Sequence, residues 1–173
     1  VTLPTGYDDT SFAVQLFLPT DRRSPPGVIF YFPHAGDLVG PVTTGGFDPA
    51  AGSIPLDFLL KSGWALAVVA FDISFERQWS AERRRSMSSS DRRRLQQRHW
   101  RVELGRTIDY LATREDIDAR KLGVFAISFG AGAMLPHFAA KHRAPTVQGT
   151  LPHAHCADRP ALRIRAPAAL RRH

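Results

Sequence analysis

The residues with the clearest potential for chemistry form a short turn around Ser128. The stretch 121–140 reads KLGVFAISFGAGAMLPHFAA, in which a bounded apolar run predicts a buried strand and the small residues after it predict a helix. A serine at the tip of a sharp strand-to-helix turn needs small neighbours two residues before and after it, and these are Ala126 and Gly130. Gly132 is expected to let the helix lie close to the sheet. The pattern predicts an exposed, nucleophilic serine on a strained backbone.

The same turn would supply one half of an oxyanion hole. The backbone amide of Phe129 would point at an oxygen bound beside the Ser128 hydroxyl. The second amide should come from the loop after an earlier central strand, where residues 33–36 read PHAG. We favour the amide of Ala35 as this donor, with His34 shaping the turn. The alternatives are that Ser128 is only a turn or helix-capping serine and that His34 is only a strand-end residue.

The remaining patterns place this turn in an α/β sheet. Apolar and alternating runs predict strands at 11–19, 28–32, 64–71 and 122–127, and helices at 54–61, 91–113 and after the serine. Asp91 is the expected cap of the long helix. Residues 37–53 form a long loop that is a candidate lining of the binding pocket, and 72–90 read as irregular. Because strands alternate with helices, we expect a mostly parallel sheet with helices on both faces.

The composition is that of a folded domain. The chain has 173 residues, with 43% hydrophobic and 23% charged residues, which suits one domain with its own core. No apolar run is long enough for a transmembrane helix, and no membrane span is expected. The single cysteine, Cys156, excludes an intramolecular disulfide and favours a reducing, cytoplasmic compartment. Because the first residue is Val1 and not Met, we expect the sequence to be an excerpt.

The net charge of +7 is unevenly distributed along the chain. Residues 1–140 hold 16 basic and 15 acidic side chains, whereas 141–173 hold 7 basic and one acidic. The second segment also contains 7 Ala, 6 Arg, 4 Pro and 4 His, a composition that is poorly suited to burying a core. We therefore expect a domain over 1–140 and an irregular basic tail over 141–173. Specific nucleic-acid binding by the domain is not expected.

Two further clusters carry little functional signal. Eight arginines lie at 83–85, 92–94, 98 and 101, and we interpret them as a solvated helix start rather than as a surface for anions or nucleic acid. His153, His155 and Cys156 lack a second ligand pair at a spacing typical of metal sites. The sequence has neither a phosphate-binding glycine loop nor a nucleotide fingerprint. No metal and no cofactor are expected.

Three segments carry a resemblance to a known family. They read FYFPHAG at 30–36, LGRTIDYLATREDID at 104–118 and KLGVFAISFGAGA at 121–133. Over 1–140 the chain resembles the α/β-hydrolase fold, and in detail the peptidase- or esterase-like hydrolase domain fused behind bacterial serine/threonine protein kinases. The resemblance implies a serine hydrolase acting on a small ester or peptide substrate, with a covalently linked kinase as partner. Ala126 departs from the glycine usual in the motif.

The acid and base of such a hydrolase are harder to find. In this fold they follow the serine in the order acid, then histidine. The only acid after Ser128 is Asp158, and His137 should lie about 13 Å along the same helix, which is too far for a proton relay. Asp158 and His173 are weak candidates in the tail. We therefore expect a hydrolase fold truncated after the elbow helix, either inactive or serving as a non-catalytic ligand-sensing or interaction domain.

Overall fold

The computed structural model describes residues 1–21, 23–33, 47–51, 54–141 and 148–150. The strands are β1 (Thr2–Pro4), β2 (Ser11–Phe17), β3 (Val28–Phe32), β4 (Ala65–Val69), β5 (Leu122–Ile127) and β6 (Gln148–Thr150). The helices are α1 (Asp57–Lys61), α2 (Ala81–Arg85), α3 (Ser89–Ala112), α4 (Phe129–Ala133) and α5 (Leu135–Lys141), with a 3₁₀ turn at Phe75–Arg77. No helix in these ranges is both long and apolar enough to cross a membrane.

The six strands form one sheet in the order β1-β2-β4-β3-β5-β6. β1 and β2 are antiparallel additions at one edge, whereas β4, β3, β5 and β6 are parallel. The chain leaves β3 toward β4 on one side and leaves β5 toward β6 on the other. The carboxyl ends of β3 and β5 therefore flank a topological switch point, where open α/β sheets bind their ligands.

The two faces of the sheet are covered by different helices. Successive strand residues point to opposite faces, so Phe30 and Phe32 belong to one core and Tyr31 to the other. The first core contains Trp100 and other residues of α3 and α5, and the second contains Leu59 of α1. β4 is buried along its whole length, as a central parallel strand should be. The predicted architecture, a mostly parallel sheet with helices on both faces, is confirmed.

The long helix α3 begins earlier than predicted, and its cap is not Asp91. Ser88 occupies the N-cap position, where its hydroxyl accepts a hydrogen bond from the Asp91 amide at 3.1 Å. The same hydroxyl donates to the Asp91 carboxylate at 2.6 Å. Asp91 therefore lies in the first turn, where its negative charge also favours the positive end of the helix. Gly63, just after the end of α1, has φ +83°, the left-handed conformation typical of a glycine that ends a helix.

The helix predicted after Ser128 is in fact two helices, α4 and α5, with Met134 between them. Pro136 is the second residue of α5, a position that tolerates proline because the first-turn amides have no partner within a helix. The segment expected to be irregular before α3 contains a 3₁₀ turn and α2. Within the part of the predicted tail that the structure describes, β6 adds a short parallel strand beside β5.

We expect Ser88→Ala to lower the free energy of unfolding by about 1 kcal/mol, because it leaves a first-turn amide of α3 without its acceptor. Chemical denaturation followed by circular dichroism measures this loss. Ser89→Ala, one position inside the helix, is the matched control and should change the free energy by less than about 0.5 kcal/mol. Equal losses for the two variants would contradict the assignment of Ser88 as the cap.

Candidate active site

Ser128 lies at the turn between β5 and α4, with its side chain exposed. Its backbone has φ 48° and ψ −108°, a conformation that L-residues rarely adopt. Ser128 occupies the N-cap position of α4, but its hydroxyl makes no capping hydrogen bond. The alternative that it serves as a helix cap therefore has no support in the geometry. A strained serine whose hydroxyl is not used by the helix is available for reaction with a bound group.

Gly130 fixes the turn against the end of β3. Its amide donates to the Pro33 carbonyl at 3.1 Å, and a Cβ built on it would lie 2.2 Å from the Phe32 carbonyl oxygen. No side chain fits there, because the obstacle is backbone. Ala126, two residues before Ser128, is fully buried and pairs with Phe32 in the sheet.

The close-packing role predicted for Gly132 is wrong. A Cβ at this position would have no heavy atom within 4 Å, so the residue faces open space. The physical reason is the direction of α4. The first turn of the helix contacts β3 through Gly130, and two residues later the chain has rotated by about 200° to the outer side of the helix.

The predicted oxyanion donors are only partly within the described residues. The Phe129 amide belongs to the first turn of α4, where amides have no partner within the helix. The Phe129 ring is 39% exposed and packs edge-on against Trp100 at 5.8 Å. His34 and Ala35 lie outside the described residues, and their roles stay predictions. They directly follow Pro33, whose carbonyl contacts the turn.

The described residues that follow Ser128 in the chain do not supply it with an acid and a base. Asp158 and His173 lie outside the described residues, and their roles also stay predictions. Among the described residues that follow Ser128 there is no carboxylate, and the only histidine is His137. Its side chain is buried, and burial together with nearby Arg101 holds the pKa of His137 below its usual value. His137 is therefore a neutral part of the packing on α5.

A small apolar pocket of ≈ 50 Å³ lies beside the turn. Its walls come from the carboxyl ends of β3 and β4, from α3 and from the turn itself, and include Phe32, Phe71, Trp100, Phe129 and Met134. The pocket accordingly lies at the switch point of the sheet. Its size and lining suit a short apolar group next to the Ser128 turn.

Asp72, three residues after the end of β4, is the centre of a buried polar network. Its carboxylate accepts a hydrogen bond from the Trp79 indole at 2.8 Å and pairs with His99 Nδ1 at 2.7 Å. Its backbone carbonyl accepts from the Trp100 indole at 2.7 Å, and its amide donates to Glu103 at 2.9 Å. One residue thus ties the chain leaving β4 to two turns of α3.

Glu103 extends this network as a fully buried carboxylate. It accepts hydrogen bonds from Arg77 and from the Tyr7 hydroxyl, both at 2.5 Å. Burial raises the pKa of Glu103, and the hydrogen bonds from Tyr7 and Arg77 offset part of that rise. Tyr7 also stacks on the His99 ring at 3.7 Å. Because this stacking and the burial of His99 enclose the Asp72–His99 pair, we assign the pair a positioning role.

The network holds a strained segment, the β4 exit loop (residues 70–80). Ile73 and Phe75 have φ values of 58° and 52°, which is especially unfavourable for a β-branched residue. The Ile73 carbonyl accepts from the Gln78 side chain at 2.7 Å, and the Ser74 hydroxyl donates to the Phe71 carbonyl at 2.6 Å. Ile73 also lines the small pocket. Strained backbone thus borders this pocket from the exit loop as well as from the Ser128 turn.

This network was not predicted from the sequence. One signal was present, since Asp72 is a carboxylate directly after a buried strand, at the sheet edge where ligands bind. Glu103 also lies on the apolar face of α3, between Trp100 and Leu104, where a lone carboxylate indicates a buried partner. Tyr7 and Arg77 carried no such signal. No three His, Cys, Asp or Glu side chains come together as a metal-ligand group in the part of the chain that the structure describes.

We expect Gly130→Ala to destabilise the protein by about 1–3 kcal/mol, because the new methyl group meets backbone that cannot rotate away. Gly132→Ala is the matched control. It should be neutral or stabilise the chain by up to about 1 kcal/mol, because alanine favours the helix and meets nothing. Denaturation curves of the two variants measure the difference, and equal stability would contradict the close approach of α4 to β3.

We expect Glu103→Ala to lower the free energy of unfolding by about 3–5 kcal/mol, because it leaves Arg77 without its counter-charge. The double variant Glu103→Leu with Arg77→Met should recover part of this loss, since it removes both members of the ion pair but leaves the Asp72 amide and the Tyr7 hydroxyl without their acceptor. Urea denaturation provides the measurement. Glu115→Ala, on an exposed turn, is the control with an expected change below about 0.5 kcal/mol. A Glu103→Ala loss as small as that of the control would refute the network's role.

No family model and no curated protein matches the chain. Solved structures do match it. A dienelactone hydrolase-like promiscuous phosphotriesterase from metagenomic libraries aligns over 87% of this chain and 56% of its own, at 18% identity and a TM-score of 0.56. A CocE/NonD family hydrolase from Staphylococcus aureus aligns over 86% and 26%, at 13% identity and 0.53. For a glucuronoyl esterase from Solibacter usitatus the shares are 79% and 42%, at 17% identity and 0.50.

At these identities the similarity concerns the fold, and it agrees with the sheet order and the strand–serine–helix turn described above. The chain has the α/β-hydrolase fold, as the resemblance of its motifs implied. It spans between 26% and 56% of the length of the three structures. The link to a protein kinase stays a prediction.

Proposed function

We propose that this chain is a serine hydrolase-type domain that cleaves an ester or amide through an acyl-enzyme on Ser128. The observation that carries the proposal is the strained, exposed Ser128 between β5 and α4, whose hydroxyl caps no helix. The esterase and hydrolase names of proteins that share the fold support the same reaction class.

In the proposed reaction, the Ser128 Oγ attacks the carbonyl carbon of the bound ester and transfers its proton to a base. The negative charge that develops on the carbonyl oxygen is stabilised by the Phe129 amide and by the predicted amide of Ala35. Collapse of the tetrahedral intermediate releases the alcohol and leaves the acyl group on Ser128. Water then hydrolyses this ester and regenerates the serine.

The pocket beside the turn supports a preference for short acyl groups. The pocket is small, at ≈ 50 Å³, and its lining is largely apolar. Trp100 and Met134, which form part of its wall, are both buried. We therefore place small acyl esters or amides ahead of lipid-like esters as substrates.

A second candidate function is a non-catalytic ligand-sensing or interaction domain, linked to a kinase as the sequence resemblance implies. The described residues after Ser128 contain no carboxylate and only a buried histidine, which favours this candidate. A serine hydroxyl without a base is a poor nucleophile at neutral pH. An oxyanion hole and a binding pocket alone can still accelerate the reaction by about 10³-fold over water. We expect feeble turnover of activated esters by the present chain.

A fluorophosphonate probe and mass spectrometry test the role of Ser128. We expect one covalent adduct on Ser128 and its loss in Ser128→Ala, because a phosphonyl group traps the serine without needing hydrolysis. Ser86→Ala, at an exposed serine, is the control and should label like the parent chain. A folded chain that forms no adduct would contradict the hydrolase proposal and favour the sensing domain. Vigorous turnover of 4-nitrophenyl acetate that Asp158→Asn or His173→Gln abolishes would contradict the expected weak activity.

A further inference from the structure

A second, larger cleft of ≈ 250 Å³ opens beside the apolar pocket. It lies between the β4 exit loop, α2 and the start of α3, and three arginines line it: Arg84, Arg92 and Arg93. Trp79 forms part of the wall, and the hydrogen bond from its indole to Asp72 fixes its position. The cleft thus combines converging positive charge with a rigid wall.

The charges of these arginines are not neutralised locally. Among the side chains that the structure describes, which do not include that of Glu76, no carboxylate lies within ion-pair distance of any of the three. Arg92 does donate to the Ser89 hydroxyl at 3.0 Å. Segment 80–101 holds eight arginines against two acids, Glu82 and Asp91. Asp91 faces Ser88 and Arg94 instead. An excess of guanidinium groups around a concave surface favours binding of a small anion.

The basic cleft and the apolar pocket meet at Ile73 and Gln96, which line both. The Gln96 side-chain nitrogen is buried there, with no acceptor among the described residues. A buried amide donor without a partner is unfavourable, and native proteins normally supply it with water or a ligand. The junction therefore offers a hydrogen-bond donor between an apolar site and a cationic site.

We infer that Arg84, Arg92 and Arg93 form an anion subsite that selects esters whose short acyl group ends in a carboxylate or phosphate. The inference rests on the proposed function. The methylene groups of such an acyl chain fit the apolar pocket, Gln96 donates to an oxygen at the junction, and the terminal anion pairs with the arginines. Under this proposal, three of the eight arginines that the sequence suggested to be a solvated helix start instead form a binding site.

The first experiment measures anion binding to the full chain by calorimetry, with inorganic phosphate and with glutarate as separate probes. We expect saturable binding of at least one of them that the double variant Arg92→Gln/Arg93→Gln weakens by about tenfold or more, since two charge-assisted contacts are lost. The double variant Arg94→Gln/Arg98→Gln removes the same charge from the same helix outside the cleft. Its affinity should stay within about twofold. Absence of binding, or equal weakening in both variants, overturns the subsite.

The second experiment compares the rate of Ser128 acylation by mono(4-nitrophenyl) glutarate and by 4-nitrophenyl butyrate, acyl groups of similar length. We expect a preference for the acidic ester of about tenfold, lost in Arg92→Gln/Arg93→Gln and retained in Arg94→Gln/Arg98→Gln. A preference that survives the first variant overturns the inference. If neither ester acylates Ser128 while phosphate or glutarate still binds through Arg92 and Arg93, the anion subsite stands and the proposed hydrolase function fails.

Discussion

The geometry of the site depends on one backbone contact, where Gly130 lies against the end of β3. The Phe32 carbonyl oxygen occupies the space that any side chain at position 130 would need. Through this contact and the hydrogen bond from the Gly130 amide to Pro33, α4 starts directly beside the end of β3. The Ser128 turn therefore lies directly beside the residues at the end of β3. Both predicted oxyanion donors depend on that proximity, because the Phe129 amide belongs to this turn and Ala35 follows Pro33 by two positions in the sequence.

A second constraint acts from the other wall of the site. The β4 exit loop contains two residues with positive φ, each of which costs of order 1–3 kcal/mol and persists only where its surroundings determine it. Asp72 and Glu103 provide those surroundings, because their hydrogen bonds attach the loop to α3. A buried carboxylate is a weak source of stability compared with apolar packing. Its value here is that the network gives the loop one conformation, with Ile73 between the two cavities.

The features that could be predicted from the sequence are those whose interactions are local along the chain. β3, β5 and the Ser128 turn were predicted because their signals are local, in apolar runs and small residues at fixed offsets. The cap of α3 was misplaced because Ser88 and Asp91, three positions apart, are both residue types that suit an N-cap, and only the hydrogen bonds distinguish them. Gly132 was assigned a packing role because spacing alone does not show which side of α4 faces β3. The pairing of Tyr7 with Glu103 joins residues 96 positions apart, and no local pattern records it.

The anion cleft lies in the most basic segment of residues 1–140, although the net charge of that region is close to zero. Residues 1–140 have a net charge of +1, but segment 80–101 alone contributes +6, so the remainder of this region carries −5. A basic rim on an otherwise acidic body directs an anion toward the rim and away from the rest of the surface. An extended polyanion gains from broad positive surfaces, whereas the part of residues 1–140 outside segment 80–101 carries a net negative charge that repels a long polyanionic backbone. The charge pattern therefore favours a small anionic ester over a nucleic acid as the partner of these arginines.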